Sequence, residues 1–197
     1  DAGTCRDVPG VQGWTQGEVP FVSVIIPCRN EEDFIAKCLD SIIENCYPKD
    51  RLEVIVVDGL SEDRTREVLQ EYVSRYPYIE KLDNPRRELQ LALDIGIEAS
   101  KGQIVMRVDA HSTYKSNYIS ECMRGLQKYS ADNVGGRWVT VARTDCLVAQ
   151  AICHATTNVF GVGNAYYRLR RFFSDAPLVS EPSWDIHVAY FCCRKEV

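Results

Sequence analysis

Asp109 and His111 stand two residues apart at the end of an apolar run, Gln103 to Val108. In extended chain leaving a strand, residues i and i+2 point the same way and can reach one ion. A carboxylate paired with an imidazole suits Mn²⁺ or a similar metal better than Ca²⁺. The competing reading is structural: Asp109 closes a loop and His111 is an ordinary surface histidine. Two other apolar runs also end in polar residues. Val22 to Pro27 is followed by Cys28, Arg29, Asn30 and Glu31, and Leu52 to Val57 by Asp58. Core packing does not require three strands to turn polar at the same end. A binding cleft at the carboxyl ends of parallel strands does.

The first turn restricts the ligand. It reads Pro27-Cys28-Arg29-Asn30-Glu31-Glu32 and contains no glycine. A dinucleotide site needs Gly-x-Gly-x-x-Gly there, so that backbone amides can approach a pyrophosphate. The segment Gly161-Val162-Gly163 lacks the third glycine and a preceding strand, and no GxxxxGK[ST] sequence is present. Carboxylates in the turn repel a bare phosphate, so the turn suits a nucleobase and ribose. A divalent cation at Asp109 and His111 would then carry the diphosphate and assist its departure as a Lewis acid.

These residues need elements to position them. Near-continuous apolar runs predict strands at Val22 to Pro27, Leu52 to Val57 and Gln103 to Val108, with a shorter one at Tyr78 to Leu82. Helical spacing predicts a helix from Phe34 to Cys46, stopped by Pro48. Others follow over Val68 to Tyr76, Leu89 to Ala99 and Tyr118 to Tyr129. Asn30 with Asp33 reads as the first cap, Ser61 as the second, and Ser116 or Asn117 as the last. Alternating strands and helices imply right-handed βαβ units, hence an α/β fold with a mostly parallel Rossmann-like sheet and helices on both faces. After Gly135-Gly136 the pattern loosens. A strand over Arg137 to Val141, a helix over about Cys146 to Thr156, a loop from Gly161 to Ser183 and a strand near Val188 to Cys192 are expected. Residues 1–20 show no period and read as a flexible leader, leaving 21–197 as one domain.

Composition limits the class. The 197 residues carry 23 Lys and Arg against 28 Asp and Glu, and 45% are hydrophobic. That is an ordinary globular balance, and its acidic sign argues against a nucleic-acid binder. No apolar run approaches the roughly 20 residues of a membrane helix. The nine cysteines contain no CxxC pair, so zinc is unsupported and a reducing, cytoplasmic compartment is expected.

Three segments taken together carry a resemblance. Val22-Ser-Val-Ile-Ile-Pro-Cys-Arg-Asn-Glu-Glu32, Val56-Val-Asp58-Gly-Leu-Ser61-Glu-Asp63-Arg-Thr65 and Val108-Asp-Ala-His111 resemble family 2 glycosyltransferases, which have the GT-A nucleotide-diphospho-sugar transferase fold. Asn84-Pro-Arg86-Arg87 and Val105-Met-Arg-Val-Asp-Ala-His-Ser-Thr-Tyr114 are similar to the succinoglycan or exopolysaccharide type. The resemblance covers roughly residues 20–197. It implies that Pro27, Arg29, Asn30 and Glu31 line the base, that Asp58 contacts base or ribose, and that Arg86 or Arg87 lies near the nucleotide. It places Asp109 at the first position of the DxD motif, with His111 replacing the last Asp. Gly59 stands where many members have a second Asp.

The same resemblance implies an inverting transfer from a nucleotide-diphospho-sugar, with a UDP-sugar favoured, to a glycan or lipid-linked glycan, in exopolysaccharide or cell-surface glycan synthesis. The general base is expected beyond Val197, because Glu181 and Asp185 are the nearest carboxylates and read as loop residues. A non-catalytic nucleotide-sugar-binding module is the alternative. A nucleotidyltransferase is disfavoured by Glu31-Glu32. Peripheral association with the inner face of the cell membrane is a further expectation, with Arg168, Arg170 and Arg171 among Phe172 and Phe173 as a charged loop that could touch an anionic surface. His187 is a remote candidate for a third metal ligand, and His154 has no chemical role.

Overall fold

The computed structural model describes residues 19–136, 141–142, 144–157, 178–179 and 192–195. The strands are β1 (Val22–Cys28), β2 (Leu52–Asp58), β3 (Ile79–Asp83), β4 (Ile104–Arg107), β5 (Asn133–Gly135), β6 (Leu178–Val179) and β7 (Cys192–Arg194). The α-helices are α1 (Ile35–Ile43), α2 (Thr65–Arg75), α3 (Leu89–Ala99), α4 (Tyr118–Lys128) and α5 (Leu147–Thr157). The sheet order is β3-β2-β1-β4-β7-β5-β6. β1 pairs in parallel with β2 and β4, and β2 with β3, while β7 runs antiparallel to both β4 and β5.

Every residue of β1 and β2 is buried, as two-sided coverage requires. Strand alternation divides their side chains between two cores. Val24, Ile26, Val54 and Val56 pack with Leu39 of α1, Leu69 of α2 and Met123 of α4. Ile25, Ile55 and Val57 pack with Ala92 and Leu93 of α3 on the other face. Helices therefore cover both faces, as the apolar runs predicted. α3 comes close enough that a Cβ on Gly96 would sit 2.5 Å from Ile25 Cγ2.

The chain order creates the crevice. From β1 the chain moves outward to β2 and β3, then returns to place β4 on the opposite side of β1. Connections that leave one strand pair in opposite directions open a gap at the carboxyl ends, where ligands of open α/β sheets bind.

Three expected caps are corrected. α1 starts at Ile35 and α2 at Thr65, with Phe34 and Arg64 at their N-cap positions and no side-chain cap bond. Asn117 does sit at the N-cap of α4, but its side chain caps nothing. Asn30 and Ser61 instead bond across loops, as described below. β5 was not expected, because three residues show no period. The sequence placed that strand at Arg137 to Val141, of which 137–140 lie outside the described residues. Also outside them are 1–18 of the leader, the loop from Gly161 to Ser183 apart from β6, and residues 188–191 of the last expected strand.

Candidate functional site

Two loops are stitched together before any ligand arrives. Asn30 adopts a left-handed backbone with φ 54°, which a short polar residue tolerates best after glycine. Its amide donates to Ser61 Oγ at 2.9 Å, and its Oδ1 accepts from the Glu62 amide at 2.9 Å. The Glu31 amide donates to Thr65 Oγ1 at 2.8 Å, and the Arg64 amide to Glu32 Oε2 at 2.9 Å. The loop after β1 is thus fastened to the loop after β2 by four hydrogen bonds at three successive residues, Asn30, Glu31 and Glu32, with partners more than thirty residues away, which explains why local cap signals misread them.

Asp58 anchors the second loop. Its side chain is fully buried and accepts from the Ser61 amide and hydroxyl. Arg66 Nη1 lies 2.7 Å from Asp58 Oδ2 and also bonds Asp83. The Arg66 hydrogen bond holds the Asp83 carboxyl below its usual range.

A cleft of about 260 Å³ opens over the ends of β1, β2 and β4. Of the residues expected at the nucleotide, Pro27, Arg29, Glu31, Arg87, Asp109 and His111 line it. Asn30, Asp58 and Arg86 are not among its lining residues. Asn30 and Asp58 build the loops beneath it, and Arg86 is exposed beside it. Arg87, at φ 60°, pairs with Glu62 at 2.9 Å. Between Arg86 and Arg87, only Arg87 lines the cleft. Arg29 is exposed and makes no ion pair among the described residues.

Asp109 and His111 sit at the β4 end. Arg107 Nη2 lies 3.1 Å from Asp109 Oδ1, with both side chains largely buried. The Asp109 amide donates to Tyr114 Oη at 2.9 Å, and the Cys38 thiol to the Asp109 carbonyl. His111 Nδ1 lies 3.3 Å from Glu31 Oε1, so the first loop touches the β4 loop across the cleft. Among the described residues, no group of three His, Cys, Asp or Glu is arranged to hold an ion. A carboxylate and an imidazole without a third protein ligand fit a cation that takes its remaining ligands from substrate phosphates and water.

Sequence reasoning missed Arg107 and Asn84, which also line the cleft. Arg107 shares a strand face with Asp109 through its i, i+2 spacing, a signal that was available. Asn84 carries no such signal. Its Nδ2 donates to the Glu88 carbonyl at 2.8 Å, while its buried Oδ1 has no partner among the described residues. Cys28 lines the cleft too, and burial and then Asp58 push its thiol well up, which disfavours the thiolate. His154 is exposed on α5, far along the chain from the cleft's residues. Glu181, Asp185, His187 and the Arg168 to Phe173 segment lie outside the described residues.

Comparisons with known proteins point to one family. The model of the family described as "Glycosyl transferase family 2" matches residues 23–190. The glycosyltransferase AglE of Haloferax volcanii is 34% identical over 119 residues, which are 60% of this chain and 39% of that protein. The succinoglycan biosynthesis protein ExoA of Rhizobium meliloti is 29% identical over 147 residues, 74% of this chain and 44% of that protein. The mannosyltransferase PcManGT from Pyrobaculum calidifontis, solved in complex with GDP-Man and Mn²⁺, superposes with a TM-score of 0.57. It is 28% identical, covering 69% of this chain and 40% of its own. The chain thus spans less than half the length of these relatives.

Proposed function

The chain belongs to glycosyl transferase family 2 and has the GT-A fold, and from that premise we propose that it binds a nucleotide-diphospho-sugar and transfers the sugar to a glycan or lipid-linked glycan. The observation that carries this reading is the cleft itself. It gathers Arg29 and Glu31 from the first loop with Asp109 and His111 from the β4 end. The strands that deliver them, β1 and β4, are neighbours in the sheet, and Glu31 Oε1 lies 3.3 Å from His111 Nδ1, so one ligand can meet both loops at once.

We assign Pro27, Arg29 and Glu31 to the base and ribose end, and Asp109, His111 and Arg107 to the diphosphate end. Asn30 and Asp58 are positioning residues, because their polar atoms are spent on the loops. Asp109 and His111 would hold the divalent cation, Mn²⁺ or Mg²⁺. When bound, such a cation neutralises charge developing on the diphosphate leaving group. Arg107 supports the same charge from beneath while orienting Asp109. We favour a UDP-sugar as the donor.

Transfer is read as inverting. The acceptor hydroxyl attacks the anomeric carbon as its bond to the diphosphate oxygen breaks, and a carboxylate takes the hydroxyl proton. We place that general base outside the described residues. Similarity to a succinoglycan biosynthesis protein supports a role in exopolysaccharide or cell-surface glycan synthesis at the cytoplasmic face of a membrane. Among the described residues, no helix is long and apolar enough to cross one.

The test is to incubate the purified protein with Mn²⁺, each of several nucleotide-sugars and a panel of lipid-linked and soluble glycans, following nucleoside diphosphate release and product mass. Sugar-dependent release with a matching glycan product supports the reading. Nucleotide binding with no transfer in any combination points to the alternative, a nucleotide-sugar-binding module.

A further inference from the structure

Glu31 belongs to the loop after β1, yet its carboxylate reaches the loop after β4. Its backbone is fixed on both sides. The amide donates to Thr65 Oγ1 at 2.8 Å, and the carbonyl accepts from the Phe34 and Ile35 amides at 3.0 and 2.9 Å. From that anchored position Oε1 lies 3.3 Å from His111 Nδ1. Among the described residues, neither the Glu31 carboxylate nor the His111 ring has another hydrogen-bonding partner.

The two residues proposed for the cation are thus held from different sides. Arg107 bonds Asp109 Oδ1 through both Nε and Nη2, and Tyr114 and Cys38 hold the Asp109 peptide. The His111 side chain is 58% exposed, and Glu31 is what orients its ring. This contact decides which ring nitrogen can meet a metal. A carboxylate at neutral pH only accepts hydrogen bonds. Nδ1 must then carry the ring proton, and the lone pair of the neutral imidazole is left on Nε2. A carboxylate behind a ligating imidazole fixes its tautomer and ring orientation and raises its basicity.

We propose that Glu31 is the positioning residue for His111: it keeps Nδ1 protonated and leaves Nε2 as the ligand for the divalent cation. This rests on the reading of the cleft as a nucleotide-sugar site with its cation at Asp109 and His111, and deepens it. Glu31 stands in the loop assigned to the base and ribose, and through His111 it also serves the cation end. Loading of the cation then depends on the loop after β1 as well as on the two residues after β4.

Two measurements test it. The first is proton–nitrogen correlation spectroscopy of the metal-free protein with isotope-labelled histidine at about pH 8, above the ordinary imidazole pKa. His111→Ala assigns the signal among the three histidines. Wild type is expected to carry the His111 proton on Nδ1, and Glu31→Ala to shift it toward Nε2. The second is calorimetric titration of UDP and GDP, each with and without Mn²⁺, for wild type, Glu31→Ala, His111→Asp and the double variant. The quantity read is the ratio of nucleotide affinities with and without Mn²⁺, from which any direct contact of Glu31 with the nucleotide cancels. Glu31→Ala is expected to cut this ratio by about tenfold or more. In the His111→Asp background no tautomer remains to be fixed, so Glu31→Ala should not lower the ratio. Circular dichroism melts check that each variant is folded, and the wild-type tautomer decides even if one is not. A wild-type proton on Nε2, a ratio that Glu31→Ala leaves intact, or an equal fall in both backgrounds overturns the inference while the nucleotide-sugar reading stands. A wild type that binds neither nucleotide in either condition overturns both.

Discussion

The guanidinium of Arg107 sits 3.1 Å from the carboxylate of Asp109, two residues further along the same strand direction, with side-chain exposures of 8% and 14%. The carboxylate proposed to hold a divalent cation thus already has a cationic side chain as its neighbour. The pair fixes the orientation of the Asp109 carboxylate at the edge of the cleft. It also sets a guanidinium beside the place proposed for the diphosphate.

Breaking that pair from one side should be costly. Arg107→Met leaves an uncompensated, largely buried carboxylate, and the expected loss of stability is about 3 kcal/mol. Removing both charges, Arg107→Met with Asp109→Asn, should cost less than the single change, because no orphan charge remains. Urea unfolding of the three variants checks this. A double variant less stable than Arg107→Met would rule it out.

Asp83 should contribute stability that disappears in acid. The Arg66 hydrogen bond lowers its pKa below the ordinary value of 3.8. A carboxyl depressed in the folded state stabilises above the unfolded pKa, and that contribution is lost as pH falls through the folded pKa. The stability difference between wild type and Asp83→Asn should therefore be constant from neutral pH to about pH 5 and shrink below pH 4. A difference that stays level down to pH 2 would contradict the pairing.

Cysteine reactivity should divide by place. Burial, with Asp109 second, pushes the Cys38 thiol up to about 12, and Cys28 is raised by burial and Asp58. Cys146 is exposed, and a hydrogen bond from Thr144 and others from backbone amides lower its pKa. Brief alkylation of the native protein at pH 8, mapped by mass spectrometry, should label Cys146 and spare Cys28 and Cys38. Equal labelling of Cys38 would mean the β1–α1–β4 packing opens readily.

Gly96→Ala tests the packing of α3 on the sheet. Alanine is the better helix former by about 1 kcal/mol. Its Cβ would nevertheless meet Ile25 Cγ2 at 2.5 Å in the centre of β1. Overpacking of a tight core costs about 1–3 kcal/mol, so the clash should prevail and the melting temperature should fall. A rise would show that α3 has room to move away from β1.

Much of the fold was legible because burial on both faces leaves an unmistakable pattern. The apolar runs marked β1, β2 and β4, and helical spacing placed α3 at its observed bounds. The polar strand ends located the cleft. What sequence could not supply was partners distant in the chain. Asn30 and Ser61 looked like caps because cap residues and loop-bridging residues are chemically the same. Only the fold brings Asn30 to Ser61 and Ser61 to Asp58. Burial of a single carboxylate is equally invisible. Asp58 reads like a ligand contact in sequence, yet its oxygens face Ser61 and Arg66. Gly59 looked like a lost contact, and its steric relation to Arg29 appears only in three dimensions.

The most direct test of the cleft's assignment is thermal unfolding with UDP or GDP, each with and without Mn²⁺, for wild type, Asp109→Asn and His111→Ala. A ligand that binds only the folded state adds about 2.7 kcal/mol at one hundred times its Kd. Wild type should gain stability with at least one nucleotide, more so with Mn²⁺, and both variants should lose the Mn²⁺-dependent part. Unchanged melting of wild type with both nucleotides, with or without the ion, would contradict the account.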